Sequence, residues 1–220
     1  MIKKYLLSIV FYMLAALGIS LTIKAAIGVS SFNSINVALS AVSGIKVGTV
    51  TTVLNLMFLG ICLLIDTKKN WKEYFLIFVS LICFGSVINF IYYTLLMPFE
   101  INNYFLRLLV FVLGTVIAGF GTGRALHYGI LKFPIEKCCQ LLEKRTKKTF
   151  SFYRYSVDIV SVILSISVSL VFGLELFVRE GTLISLLLLS YVIGKSKDMT
   201  FIHFQSKRFD LEDTIGFDKD

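Results

Sequence analysis

Nineteen consecutive residues, 5–23, carry no charged side chain. A helix that crosses an apolar layer about 30 Å thick needs about 20 mainly apolar residues. Four more runs of this kind follow, at 47–65, 74–97, 108–123 and 157–177, the last with Asp158 and Glu175 near its ends. A sixth run, 181–194, is short for a full crossing. Over the 220 residues, 56% are hydrophobic and 16% charged. Soluble domains average about 45–50% and about 25%. A soluble chain of this size cannot bury so much apolar surface. Soluble enzymes and nucleic-acid-binding modules are therefore excluded, and the expected fold is an all-α polytopic membrane protein of six transmembrane helices.

The first run begins after Lys3 and Lys4, as a signal peptide does. It exceeds the usual h-region of about 7–15 residues, and Lys24 stands where a cleavage site would be. A retained first helix is expected. The net charge of +8 has a topological reading. Seventeen of the 22 Lys and Arg fall before run one, between runs two and three, between four and five, or after six. Lys24 and Arg124 stand at span ends, and the alternate connections otherwise hold only Lys46, Arg107 and Arg179. By the positive-inside rule this places both termini in the cytoplasm and favours a crossing by the short sixth run.

The two halves of the chain resemble one another. An offset of 101 pairs Gly18 with Gly119, Gly28 with Gly129 and Phe32 with Phe133, and brings Lys24 within one residue of Arg124. With two residues inserted, Asn55 pairs with Asp158. Three spans per half force opposite orientations, so the expectation is a 3+3 inverted repeat. Repeat one covers about 5–97 and repeat two about 105–194, within one transmembrane domain, 1–195, followed by a short cytoplasmic tail, 196–220. Residues 31–43 form an uncharged helix-compatible stretch with Ser30 and Ser31 as plausible N-caps. It is either re-entrant or a surface helix in the headgroup zone. Its counterpart, 134–148, carries Glu136, Lys137, Glu143, Lys144 and Arg145 and is expected on the cytoplasmic surface.

Leu17-Gly18-Ile19-Ser20-Leu21, Ala25-Ala26-Ile27-Gly28-Val29-Ser30-Ser31, Gly44-Ile45-Lys46-Val47-Gly48-Thr49 and Asn55, with the late Glu180-Gly181-Thr182-Leu183, resemble the YczE/YyaS/YitT group of bacterial integral membrane proteins. The resemblance covers about 17–194. It implies a topology of five or six spans in a bacterial plasma membrane and no particular reaction. The tail is too short for the soluble domain that YitT-type members often carry, which favours the YczE-like branch.

Ionisable groups within spans are costly and default to function. Lys24 and Arg124 either snorkel to the headgroups or contact an anionic solute, one in each repeat. Asp158 is a partner for Arg124 or Arg154, or else a coupling site for protons or sodium. Asn55 and Asn89 bond across helices or line a solute path. Ser30, Ser31 and Asn33 complete the candidate substrate-binding set. The small residues Gly114, Ala118, Gly119, Gly121 and Gly123, with Ala15, Ala16 and Gly18, predict close packing of spans one and four. The aromatic residues near span ends, from Tyr5 and Trp71 to Tyr191, read as an interfacial belt. Cys62, Cys83, Cys138 and Cys139 lack the spacing of a zinc site, and His127 and His203 offer no metal cluster. No catalytic motif of the metalloprotease, hydrolase or phosphate-loop kind is present. No catalytic residue, metal or cofactor is expected.

The leading expectation is a small secondary transporter or exporter of a small organic, anionic solute. The alternatives are a substrate-binding membrane subunit of a vitamin-type importer, or a non-transporting assembly or regulatory protein. The expected partners are the lipid bilayer, the solute, and a second copy or another membrane protein.

Overall fold

The computed structural model describes residues 2–67, 69–129 and 133–199. His203 and most of the expected tail lie outside the described residues, as do Lys68 and Lys132. Among the described residues there are eight α-helices and no strand: α1 (Ile2–Ala25), α2 (Ser31–Ser43), α3 (Val47–Ile65), α4 (Trp71–Phe90, continued by a π-helical turn, Ile91–Leu95), α5 (Tyr104–Tyr128), α6 (Pro134–Arg145), α7 (Phe150–Val171) and α8 (Glu180–Asp198). Five of them, α1, α3, α4, α5 and α7, are long and apolar enough to cross a membrane. The last, α8, has 19 residues where an apolar run of 14 was expected, and its additional turn carries Lys195 and Lys197.

Local chemistry explains the shifted ends. Asn103 accepts from the Phe105 N–H at 2.8 Å, so α5 begins before its apolar run. Thr149 accepts from the Phe152 N–H at 3.4 Å, which starts α7 seven residues ahead of position 157. Gly173, with φ of 62°, follows the end of α7 and keeps it short of 177. Gly28 holds φ at 113° in the turn from α1 to α2, a conformation that a side chain resists. The same turn docks on α8, where the Gly181 N–H donates to the Ile27 carbonyl at 2.9 Å.

The central contact joins α1 and α5. A Cβ on Gly121 would stand 2.6 Å from the Ala15 backbone nitrogen, and one on Gly18 would collide with the Ala118 backbone. The small residues expected to join the first and fourth spans therefore do so. Gly119 and Gly123 instead admit α8, against Val192 and the Ile193 carbonyl. Around this centre, α2 packs on α3 and α7, and α6 packs on α7 and α3. Both short helices begin buried and end exposed, α2 from Ser31 to Ser43 and α6 from Pro134 to Arg145.

The placement of α6 corrects the expectation of a surface helix. Pro134 through Cys139 are buried. Its charges are tolerated because they have partners. Lys137 reaches Glu73 at 2.9 Å and lies 3.8 Å from the Tyr74 ring centroid, while Glu136 faces Arg154. Tyr74, expected in an interfacial belt, is buried beside this helix and donates to Asp66 at 2.9 Å.

Overpacking a close-packed site typically costs about 1–3 kcal/mol. Gly18→Ala is expected to lower the unfolding temperature in detergent. Gly60→Ala, where a Cβ meets nothing within 4 Å, leaves it unchanged. Equal unfolding temperatures would show that the α1–α5 contact tolerates separation.

Candidate functional site

The inner ends of α2 and α6 face each other across a small chamber of about 90 Å³. Ile19 and Thr22 of α1, Ser30, Phe32 and Asn33 at the start of α2, and Thr51 and Asn55 of α3 form one wall. Thr115, Ala118 and Thr122 of α5, Phe133, Ile135 and Glu136 at the start of α6, and Ser185, Leu189 and Ile193 of α8 form the other, with Arg154 of α7. A wider cavity of about 450 Å³ adjoins it between α6, α7 and α8. Ser30, Glu136, Arg154, Ser185, Leu189 and Ile193 line both. The wider one also takes in Gln140, Glu143, Phe150, Tyr155, Asp158, Leu186, Ser190 and Lys197. Its volume falls within the roughly 300–1,000 Å³ of small-molecule sites, and that of the inner chamber does not.

The charges at the junction form one cluster. Arg154 Nη1 donates to Asp158 Oδ1 at 2.8 Å, one turn along α7. Arg154 Nε lies 3.7 Å from Glu136 Oε1. Glu136 is 9% exposed, and its Oε2 atom has no hydrogen-bond partner among the described residues. One guanidinium thus stands between two carboxylates. Arg154 enters the bundle because it sits one turn into α7, on the face that meets α6. Glu136 enters because Pro134 starts α6 inside the protein. A carboxylate in the first turn of a helix is stabilised by the helix dipole and by the free N–H groups there. Ser30 occupies the N-cap of α2, but its hydroxyl makes no capping bond to the helix, so this N-terminus is not closed by its own side chain.

Of the residues expected to bind solute, the structure gathers Ser30, Ser31, Asn33, Asn55 and Asp158 at these cavities. Asn55 donates to the Thr51 carbonyl at 2.8 Å, and the Asn33 side chain accepts from Asn36 at 3.2 Å. Three others lie elsewhere. Lys24 donates to the Met97 carbonyl at 3.4 Å and lines neither cavity. Arg124 is 2% exposed and closes the end of α8, bonding to the Ser196 and Met199 carbonyls and, at 3.3 Å, to the Tyr128 hydroxyl. Asn89 spans α4 and α3, accepting from the Gly48 N–H at 2.8 Å and donating to Thr49 at 3.0 Å. Lys24 and Arg124 are therefore not brought together, because α1 and α5 run antiparallel.

Glu136 and Ser185 belong to the site without being expected there, and Arg154, expected as one of two partners for Asp158, is the one that meets it. A signal for two of them was present. The offset that pairs Phe32 with Phe133 gives α2 and α6 the same place in their halves, and Arg154 and Asp158 have the i, i+4 spacing of a helical ion pair.

A helical bundle with five helices long and apolar enough to cross a membrane, and with a charge cluster on an internal cavity, is the class that this geometry defines. Within that class, the chain belongs to a family of unknown function (DUF6198), which it matches over residues 2–197. It is 27% identical over 204 residues to the uncharacterized protein YyaS of Bacillus subtilis (strain 168), across 93% of this chain and 97% of that protein. No solved structure matches it. The family agrees with the resemblance read from its glycine-centred motifs.

Removing one partner of a fully buried ion pair costs about 3–5 kcal/mol, because the other charge stays behind, and the half-buried Arg154–Asp158 pair falls below that limit. Arg154→Gln is thus expected to destabilise the protein strongly, and Arg154→Gln with Asp158→Asn much less than the sum of the two. Additive losses in thermal unfolding would show that the pair is not coupled.

Proposed function

We propose that the protein is a small secondary transporter or exporter of an organic solute, with its site where the inner ends of α2 and α6 meet the Arg154 cluster. The cavity of about 450 Å³ beside the Glu136–Arg154–Asp158 charge cluster is the observation that carries this reading. The exchange of partners, α2 on α7 and α6 on α3, supports two inverted units of three spans and one re-entrant helix each. Sites between such units, at the ends of broken helices, are a recurring solution in transporters. In this reading α8 is the sixth span, the protein lies in the bacterial plasma membrane, and the basic end faces the cytoplasm. The protein moves its solute without chemically changing it.

An anionic solute needs cations such as Lys24 and Arg124 at its site. Both are engaged with backbone carbonyls away from the cavities. Neither therefore contacts the solute in this reading.

Two measurements test this reading. Lys195→Cys and Lys147→Cys are expected to react with a membrane-impermeant thiol reagent only after cells are permeabilised, and Glu175→Cys in intact cells. Labelling of Lys195→Cys in intact cells would remove the sixth crossing. Proteoliposomes are expected to show saturable uptake of at least one member of a panel of labelled amines, amino acids and carboxylic acids, reduced at least tenfold by Arg154→Gln. Absence of saturable uptake with correctly folded protein would contradict transport.

A further inference from the structure

We infer that the Glu136 carboxylate is a recognition site for a protonated amine, so that the solute class is an organic ammonium ion. The inference rests on the cavity being the solute site and adds the sign of the solute's charge. Three carboxylates, Glu136, Glu143 and Asp158, line the wider cavity against two cations, Arg154 and Lys197. Arg154 is committed to Asp158 at 2.8 Å and reaches Glu136 through Oε1 at a looser 3.7 Å. That leaves Glu136 Oε2 as a buried carboxyl oxygen without a hydrogen-bond partner among the described residues, on a side chain that lines both chambers. Burial pushes its pKa above the usual carboxylate range and Arg154 pulls it back, so a second cation beside it favours the ionised form. A buried carboxylate oxygen without a donor is costly. An ammonium N–H supplies both the donor and the compensating charge. A carboxylate or phosphate in the same place would stand against Glu136 and Asp158, and the cations that line the cavity are Arg154, already shared between those two, and the exposed Lys197. Phe150, Tyr155, Leu186 and Leu189 offer an aromatic and aliphatic wall to the body of the molecule, and an aromatic face near a cation adds attraction.

The test uses the full chain in detergent or nanodiscs and three probes that share a phenyl ring and differ in the head group: 2-phenylethylamine, 2-phenylethanol and 3-phenylpropionate. The amine is expected to raise the unfolding temperature and bind at least tenfold more tightly than the alcohol, with the acid weakest. Glu136→Gln is expected to remove the preference for the amine, and Glu136→Asp to keep it in part. Glu175→Gln, an exposed carboxylate remote from the cavity, should leave it unchanged. The inference is overturned if the acid binds as well as the amine, if Glu136→Gln keeps the preference, or if none of the three binds wild-type protein. The comparison among probes on wild-type protein decides the matter even if the variants fail to fold. Amine binding without flux in proteoliposomes would remove the transporter reading and leave this one standing. Uptake of carboxylic acids unaffected by Glu136→Gln would do the reverse.

Discussion

A helix that begins inside an apolar bundle leaves its first N–H groups without intrahelical partners. In lipid no solvent can supply them, so irregular backbone is tolerated only where protein or a polar cavity receives it. Two helices of this protein, α2 and α6, begin in this way, and the surrounding architecture follows from satisfying them. Pro134 removes one of the orphan donors at the start of α6. Glu136 places a carboxylate in that first turn, and its charge then demands a cation. Arg154 answers from α7 and is held in turn by Asp158. At the start of α2 the polar residues Ser30 and Asn33 border the same chamber. The cavity is thus a consequence of bringing two helix ends into the interior, and the charge cluster makes the arrangement affordable.

The close contact of α1 with α5 lets those helix ends converge. Without a hydrophobic driving force between helices in lipid, association depends on packing and on polar contacts. Glycine and alanine at 15, 18, 118 and 121 bring the two backbones together, and a Cβ on either glycine would meet backbone. The two cations Lys24 and Arg124 have structural duties at the margins. Arg124 neutralises the carbonyl end of α8, where a cation complements the helix dipole. Lys24 holds the loop after α4 through the Met97 carbonyl.

Much of the fold was legible in the sequence because each long helix has its own uncharged run. The end of α3 at Ile65 coincides with the end of its apolar run, since Asp66 stops both. The ends of α5 and α7 were less visible, because polar caps such as Asn103 and Thr149 lengthen a helix beyond its apolar residues. The burial of α6 was hidden by composition. A stretch with Glu136, Lys137, Lys144 and Arg145 reads as solvated unless Glu73 and Arg154 are known to meet it, and both are distant in sequence. Of the site, the uncharged polar residues at the start of α2 and the α3 amide Asn55 could be read directly. Of the central ion cluster, Asp158 with Arg154 was one of two readable pairings, at i, i+4 spacing on α7, while the approach of Glu136 from α6 was not legible, because a charge count gives no partners across helices.

The central claim is that the space between α6, α7 and α8 is a water-filled route for solute within the membrane. In a background without Cys62, Cys83, Cys138 and Cys139, single cysteines at Leu189 and Leu187 separate the two faces of α8. Leu189 lines both chambers, and Leu187 is 80% exposed on the outer face of the bundle. With protein in lipid bilayers, a small water-soluble thiol reagent is expected to modify Leu189→Cys and to leave Leu187→Cys unreacted. An inert Leu189→Cys beside a reactive Leu187→Cys would contradict the account.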